Sequence, residues 1–587
     1  MTEQQSTGTD HRAADRLLLD AGVRGGGWLV VLVLAALLLA GAAIALPALI
    51  GAAVNAIVDG GALGHWLIWV GLLVAVLVVC DALDDLGAGA VTARSTAWLR
   101  RVTLEHVLAL GTRVTERFSP GELTTRLVGN AADAGGVAVS VVRAGGNLIP
   151  ALGATVALAI IDPWLCLTFL AGTAVLLVLV RAFAKDASEL AGRYLAVQGS
   201  IVSRLTDAIS GARTIAAAGT EARERDRVLA PLPDLRRYGL DTWRIQMRII
   251  VQNGLVVGLL EIAVIAVAGF ELAHHRISAG ELVAASQYVL LGTTLGGTAV
   301  GAINRLARSR AAAARIAEVL SEPAPRTGTD SLPAGGGRLE YRDVSLRIGD
   351  SVALDGIDLT IPAGALVGVV GPSGAGKSLL ARLAGRLVDP DQGEVVLDGV
   401  PLSDLDPGEL RREVGFGFER PTLIGETVAE AIAFGSRTPS SPEIVAAAKS
   451  AEADGFIRRM PTGYGTPLAD APMSGGEAQR VGLARTFAHA GRVVVLDDVA
   501  SSLDTVTEHQ ISEVLTGALG DRTRIVVAHR ASTAARMDFV VWLDQGRIRA
   551  KAPHHQLWQD PEYRALFEPE ERGQGPLEAV TESRGTR

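Results

Sequence analysis

Six apolar stretches, near residues 28 to 50, 66 to 86, 138 to 161, 163 to 182, 249 to 271 and 281 to 303, constrain this chain more than any other feature. Each is close to the roughly 20 helical residues that cross about 30 Å of hydrocarbon. With 49% hydrophobic residues over 587 positions, the chain is too apolar to be wholly soluble and too long for one domain. A six-span helical domain over 27–305 is therefore predicted. Loop charge orients it. Residues 91 to 135 carry Arg94, Arg100, Arg101, Arg113, Arg117 and Arg126, and a basic series from Lys185 to Arg248 fills the second long loop. The opposite-side connections, near 58 to 65, Asp162 and 272 to 280, hold only Arg276. By the positive-inside rule both long loops and both termini face the cytoplasm.

The two long loops are rich in Ala, Leu, Arg and Glu and poor in proline, which predicts helices that leave the membrane and turn back. The turns are placed at SPGEL (Ser119 to Leu123) and SGARTIAAAGTEARERD (Ser210 to Asp226). Residues 1–26 are polar without a signal-peptide pattern, and Ala14 to Gly26 is expected to form a short interfacial helix. Cys80 and Cys166 lie inside apolar runs and are expected to be buried thiols. The net charge of −8, with no basic domain, argues against a nucleic-acid partner.

Ionisable side chains within spans are costly and so informative. Glu261 falls near mid-bilayer, either facing a substrate cavity or satisfied by a neighbouring helix. Asp81, Asp84 and Asp85 share one helical face and lie about as deep from the outer side as Arg143 does on the next span. A structural ion pair between them is expected, ahead of a substrate role.

A Pro/Gly/Ser/Thr-rich joint, Ala324 to Gly337, ends a linker over 306–337, and an α/β domain is expected over 338–570, followed by a polar, disordered tail over 571–587. Its centre is VGVVGPSGAGKSLL (Val367 to Leu380). In it Gly371, Pro372, Ser373, Gly374, Ala375, Gly376, Lys377 and Ser378 match the phosphate-binding loop G-x-x-x-x-G-K-[ST]. Backbone N–H groups and a helix N-terminus cradle phosphates there, the lysine neutralises them and the hydroxyl holds Mg²⁺. Downstream, RVVVLDD (Arg492 to Asp498) is an apolar strand ending in carboxylates, with Asp497 placed to hold Mg²⁺.

MSGGEAQR (Met473 to Arg480) resembles the signature of ABC transporters, SSLD (Ser501 to Asp504) their D-loop, and IVVAHR (Ile525 to Arg530) the strand that carries their switch histidine, here His529. SPGELTTRL, SGARTIAAAGTEA and ISAGELVA sit where exporter-type (type IV) members have two coupling helices and the entry to the last span. The chain thus resembles a type IV ABC half-transporter of the multidrug and lipid exporter kind over essentially residues 14 to 570. The resemblance implies ATP and Mg²⁺ as ligands, a lipid bilayer, and two such chains sandwiching each ATP between the P-loop of one and the signature of the other. With one P-loop present, a partner chain is expected.

Three positions facing this chain's own nucleotide depart from the family pattern. Ile348 stands where an aromatic stacks on adenine, a loss of roughly 1 to 3 kcal/mol by analogy with other base stacks. Glu419 replaces the glutamine that helps place Mg²⁺ and water. Asp498 replaces the glutamate that orients and deprotonates water. Ser474, Gly475 and Gly476 are kept, with Glu477 a mild departure from glutamine. This asymmetry predicts the degenerate-site subunit of a heterodimeric exporter. Its partner would carry the intact glutamate at the position of Asp498, the Walker B glutamate, and its cargo would be a small amphiphilic molecule, lipid or peptide-like compound. A slow homodimeric exporter and an importer of iron chelates share the same motifs, and a nucleotide-gated channel or regulator is the reading from another class.

Overall fold

The computed structural model describes residues 3 to 567 except 62–63, 113, 115–116, 294, 326, 350, 500–504 and 518. The D-loop pair Ser501 and Asp504 and the tail over 571–587 lie outside the described residues. The chain divides into two compact units, Met1–Leu108 with Phe118–Glu322, and Ala109–Arg117 with Pro323–Arg587.

The first unit is helical: α1 (Glu3–Val23), α2 (Gly27–Val58), α3 (Gly64–Leu110), α4 (Pro120–Thr125), α5 (Val137–Ile161), α6 (Pro163–Ser210), α7 (Ala212–Ala218), α8 (Glu221–Leu229), α9 (Leu232–Ala273), α10 (Ala279–Thr293) and α11 (Leu295–Leu320). Among the described residues four helical stretches are long and apolar enough to cross a membrane: Gly27–Val58, Gly64–Leu110, Pro120–Ile161 and Glu221–Ala273. The other two predicted spans are helical but shorter in apolar length, with Pro163–Val178 in α6 and the 15-residue α10. Several helices run well past the apolar stretches that signal them. The cause is that a hydrophobic run marks only the lipid-facing length, while good helix formers continue the hydrogen-bond ladder into water. The N-terminal helix likewise begins at Glu3, eleven residues before the expected Ala14.

Both expected turns are short helices with local causes. Ser119 caps α4 by accepting from the Glu122 N–H at 3.2 Å, with Pro120 in the first turn. Arg126, buried, then pairs with Glu122 at 2.6 Å and with Glu318 of α11 at 2.8 Å, its guanidinium over the Phe118 ring. In the second loop Gly219, at φ +61°, separates α7 from α8. At the far end of the unit α2 and α10 cross closely: the Gly280 N–H donates to Asn55 Oδ1 at 2.7 Å, and Asn55 Nδ2 donates to Ser278 Oγ at 2.9 Å. A Cβ on Gly280 would lie 1.9 Å from the Gly51 carbonyl oxygen.

The second unit is built on two sheets. β1 (Leu339–Ile348), β2 (Ser351–Ile361), β4 (Gln392–Leu397) and β5 (Val400–Pro401) form an antiparallel sheet in the order β2-β1-β4-β5. The second sheet is ordered β10-β9-β3-β8-β7-β6, from β3 (Leu366–Val370), β6 (Val414–Gly417), β7 (Val493–Leu496), β8 (Thr523–Val527), β9 (Phe539–Asp544) and β10 (Arg547–Ala552). All its pairings are parallel except β9 with β10. A parallel sheet covered on both faces reads as continuous apolar sequence, which is why LVGVV and VVVL carry no alternation. Val367, Val369, Val493, Val495 and Ile525 pack toward the antiparallel sheet, while Leu366, Val370, Val494, Leu496 and Val526 face the helical side.

The crossing of α2 and α10 gives a direct stability test. Gly280→Ala should cost about 1 to 3 kcal/mol by overpacking and lower the unfolding midpoint in detergent, whereas Gly41→Ala, with open space around its Cα, should be neutral. Equal midpoints for both variants would contradict this packing.

Candidate functional site

The carboxyl ends of β3 and β7 meet where the phosphate-binding loop begins. Gly371 is required by close approach, since a Cβ there would lie 2.2 Å from the Leu543 carbonyl oxygen. Gly376, at φ +97°, makes the turn into α12 (Lys377–Ala384), where a side chain would meet Leu354 at 2.6 Å. Between them Pro372, Ser373 and Gly374 are exposed and Ala375 is buried. Lys377, buried, donates from Nζ to the Gly371 and Pro372 carbonyls at 2.9 Å each, so the loop bends around its own ammonium. Burial lowers the lysine from its ordinary range, against the pull of Asp498 and Asp497.

Ser378 Oγ donates to Asp497 Oδ1 at 2.7 Å, tying the first turn of α12 to the end of β7. Burial pushes the Asp497 carboxyl up, with the Ser378 hydrogen bond opposing and the Glu419 carboxylate adding to the rise. Asp498 is also raised by burial, with His529 opposing. Its φ of +50° is a conformation that few side chains adopt, aspartate among the more tolerant. His529 Nε2 stands 3.6 Å from Asp498 Oδ2, in ion-pair range and beyond a hydrogen bond. Hard oxygen donors on Ser378 and Asp497, with a carboxylate held partly desolvated, suit Mg²⁺ better than a softer metal.

Ile348 is more than half exposed at the end of β1, and Glu419 is half exposed beside Arg420. Ser474 caps α13 (Gly475–Ala488) in a capping box with Glu477: the Glu477 N–H donates to Ser474 Oγ at 3.3 Å, and Glu477 Oε2 accepts from the Ser474 N–H at 2.8 Å and from its hydroxyl at 2.9 Å. The Ser474 backbone N–H holds the Glu477 carboxyl below the usual range. A carboxylate therefore sits on the very N-terminus where Ser474, Gly475 and Gly476 present their N–H groups. Gln479, which no motif marks, donates from Nε2 to the Glu419 carbonyl at 3.1 Å and links α13 to the segment after β6. Its only signal was a polar residue three past the signature glycines on a face that is otherwise buried.

In the membrane unit, Arg143 Nε and Nη2 reach Asp84 Oδ2 at 2.9 and 2.7 Å, and Nη2 reaches Asp85 Oδ1 at 2.6 Å. These residues and Asp81 line a cavity of about 590 Å³ between α2, α3, α5 and α10. Glu261, half-buried on α9, is not among its lining residues.

Burial fixes the sign of a pH effect at Asp497 and Asp498. Their folded pKa lies above the unfolded one, so the folded domain binds protons more tightly than the unfolded chain. Stability without divalent cation should fall as pH rises through that raised window, and the increment in melting temperature from Mg²⁺ and nucleotide should grow in step. Thermal unfolding with and without Mg²⁺–nucleotide across pH checks this, and Asp497→Asn should flatten the cation increment. A pH-independent increment would contradict it.

The geometry agrees with what comparison with known proteins finds. A family model described as "ABC transporter transmembrane region" matches residues 29–294, and one described as "ABC transporter" matches 354–501. The chain is 43% identical over 539 residues to the ABC transporter ATP-binding protein RamA of Streptomyces coelicolor, covering 92% of this chain and 85% of the relative. It is 30% identical over 556 residues to an ATP-dependent lipid A-core flippase of Chromobacterium violaceum, covering 90% and 93%. A bacterial Atm1-family ABC exporter solved with ATP bound shares the fold at a TM-score of 0.76 and 24% identity, covering 92% of this chain and 97% of that one.

Proposed function

Because the chain belongs to the ABC transporter family, a multi-pass protein of the cytoplasmic membrane with an ATP-binding domain in the cytoplasm, we propose that it is the degenerate-site half of a heterodimeric exporter. In this reading six spans cross the membrane, the apolar parts of α6 and of α10 with α11 supplying the two that are shorter. A second half-transporter completes each nucleotide sandwich. The cargo is a small amphiphile, lipid or peptide-like compound.

The observation that carries the proposal is Asp498, placed directly after Asp497 at the end of β7 with its carboxylate 3.6 Å from His529. A glutamate at this position would extend one methylene further toward an attacking water. Aspartate falls short by about 1.5 Å, and a misplacement on that scale can lower a rate about a hundredfold. Lys377 and the loop N–H groups still bind phosphate, and Ser378 and Asp497 would hold Mg²⁺. When bound, that ion neutralises charge on the phosphate oxygens. Glu419 adds a carboxylate to the same space, which further disfavours a deprotonated water. Nucleotide at this site thus acts mainly to clamp the two ATPase domains together. The signature of α13 serves the partner's nucleotide, where hydrolysis opens the clamp and resets the spans.

ATPase measurement on the co-purified pair tests this division. Asp498→Asn should lower turnover less than about twofold, while glutamine at the partner's Walker B glutamate should lower it about a hundredfold or more. Comparable losses from the two variants would overturn the assignment. ATP-dependent uptake into inverted vesicles fixes the direction of transport as export.

A further inference from the structure

The cavity between α2, α3, α5 and α10 is amphipathic along its length. Following α3 outward, Asp85, Asp84 and Asp81 give way to Leu77, and following α5 outward, Arg143 gives way to Pro150. Asp84 lies 20 residues from the start of α3 and Arg143 lies 18 residues before the end of α5. At 1.5 Å per residue both stand roughly 30 Å from the outer ends, at the cytoplasmic boundary of the hydrocarbon. The polar end thus opens at headgroup depth of the inner leaflet, and the apolar end reaches into the acyl region.

Three carboxylates face one guanidinium at the polar end. Arg143 is engaged by Asp84 and Asp85 together, and Asp81, exposed to the cavity, has no ion-pair partner among the described residues. A surplus of negative charge beside hydrocarbon is costly unless a cation offsets it. The volume of about 590 Å³ lies in the range that holds drug-sized ligands. We propose that this cavity is the cargo entry site and that it selects an amphiphile bearing an alkylammonium group, the ammonium seated against Asp81 and the hydrocarbon along Leu77 and Pro150. The Arg143 pair is the positioning element: it fixes two of the carboxylates and leaves the third to the ligand.

This inference rests on the exporter reading, and its test separates the two. Binding of dodecyltrimethylammonium, dodecylphosphocholine and dodecyl sulfate is measured on the full-length protein in lipid nanodiscs, in the assembly in which it purifies, against empty nanodiscs. Dodecyltrimethylammonium should bind and dodecyl sulfate should not. Asp81→Asn should weaken the ammonium probe about tenfold or more, and Asp81→Lys should admit dodecyl sulfate instead, with ATP binding unchanged in both. If dodecylphosphocholine binds with the same dependence on Asp81, the ammonium comes from a lipid headgroup and the site stands. Equal binding of the anionic probe to the natural protein, or ammonium binding indifferent to both Asp81 variants, overturns the proposal even if ATP-driven transport of another compound is seen. Binding that follows Asp81 without any ATP-driven movement of the probe leaves the site in place and removes the exporter reading.

Discussion

One hydrogen bond, from Ser378 Oγ to Asp497 Oδ1 at 2.7 Å, joins the two segments from which the proposed nucleotide site is built. It links the helix that opens at Lys377 to the residue that follows β7, across a parallel sheet whose strands are buried on both faces. The sheet sets the spacing of these termini, and Gly371 and Gly376 let the chain turn where no side chain fits. Burial then raises the carboxyls of Asp497 and Asp498 and lowers the ammonium of Lys377, so each waits for a counter-charge that phosphate and a divalent cation would bring. Electrostatic need, more than shape, defines the site.

The same principle operates in the helical unit with a different outcome. Arg143 and Asp84 neutralise one another near the membrane boundary, and Arg126, between Glu122 and Glu318, does so beside α4. Losing both carboxylates would leave the buried Arg126 guanidinium uncompensated, which is costly. Through Glu318, Arg126 couples the short helix α4 to the end of α11, the last helix before the linker. This contact joins the two elements without involving the apolar parts of the spans.

The segments that build the candidate nucleotide site are legible in the sequence because each is local. The loop from Gly371 to Ser378, the apolar strand before Asp497 and the Ser474 cap each need particular residues within a few positions of one another. Ser119 and Pro120 announced α4 for the same reason. The Arg143–Asp84 contact was legible through helix depth, since both residues lie equally far from the outer ends of their helices. Contacts set by packing between distant segments were not legible. Gln479 with the Glu419 carbonyl, Arg126 with Glu318, and the grouping of Ala109–Arg117 with the second unit have no local signature. That helices continue past the apolar runs was legible in the Ala, Leu, Arg and Glu of the long loops, as α9 does from Leu232 to Ala273, while their exact ends were not. Glu477 looked like a mild change in sequence, yet it places a carboxylate on the N-terminus of α13.

The central claim is that the two nucleotides of the assembled transporter meet unequal fates. Vanadate traps the product of hydrolysis, so a photoreactive azido-ATP with vanadate marks whichever P-loop has just turned over. Labelled at Lys377's site and at the partner's, the co-purified pair should carry trapped nucleotide on the partner chain and little on this one, although both bind nucleotide on ice. Equal vanadate-dependent labelling of the two chains would contradict the account.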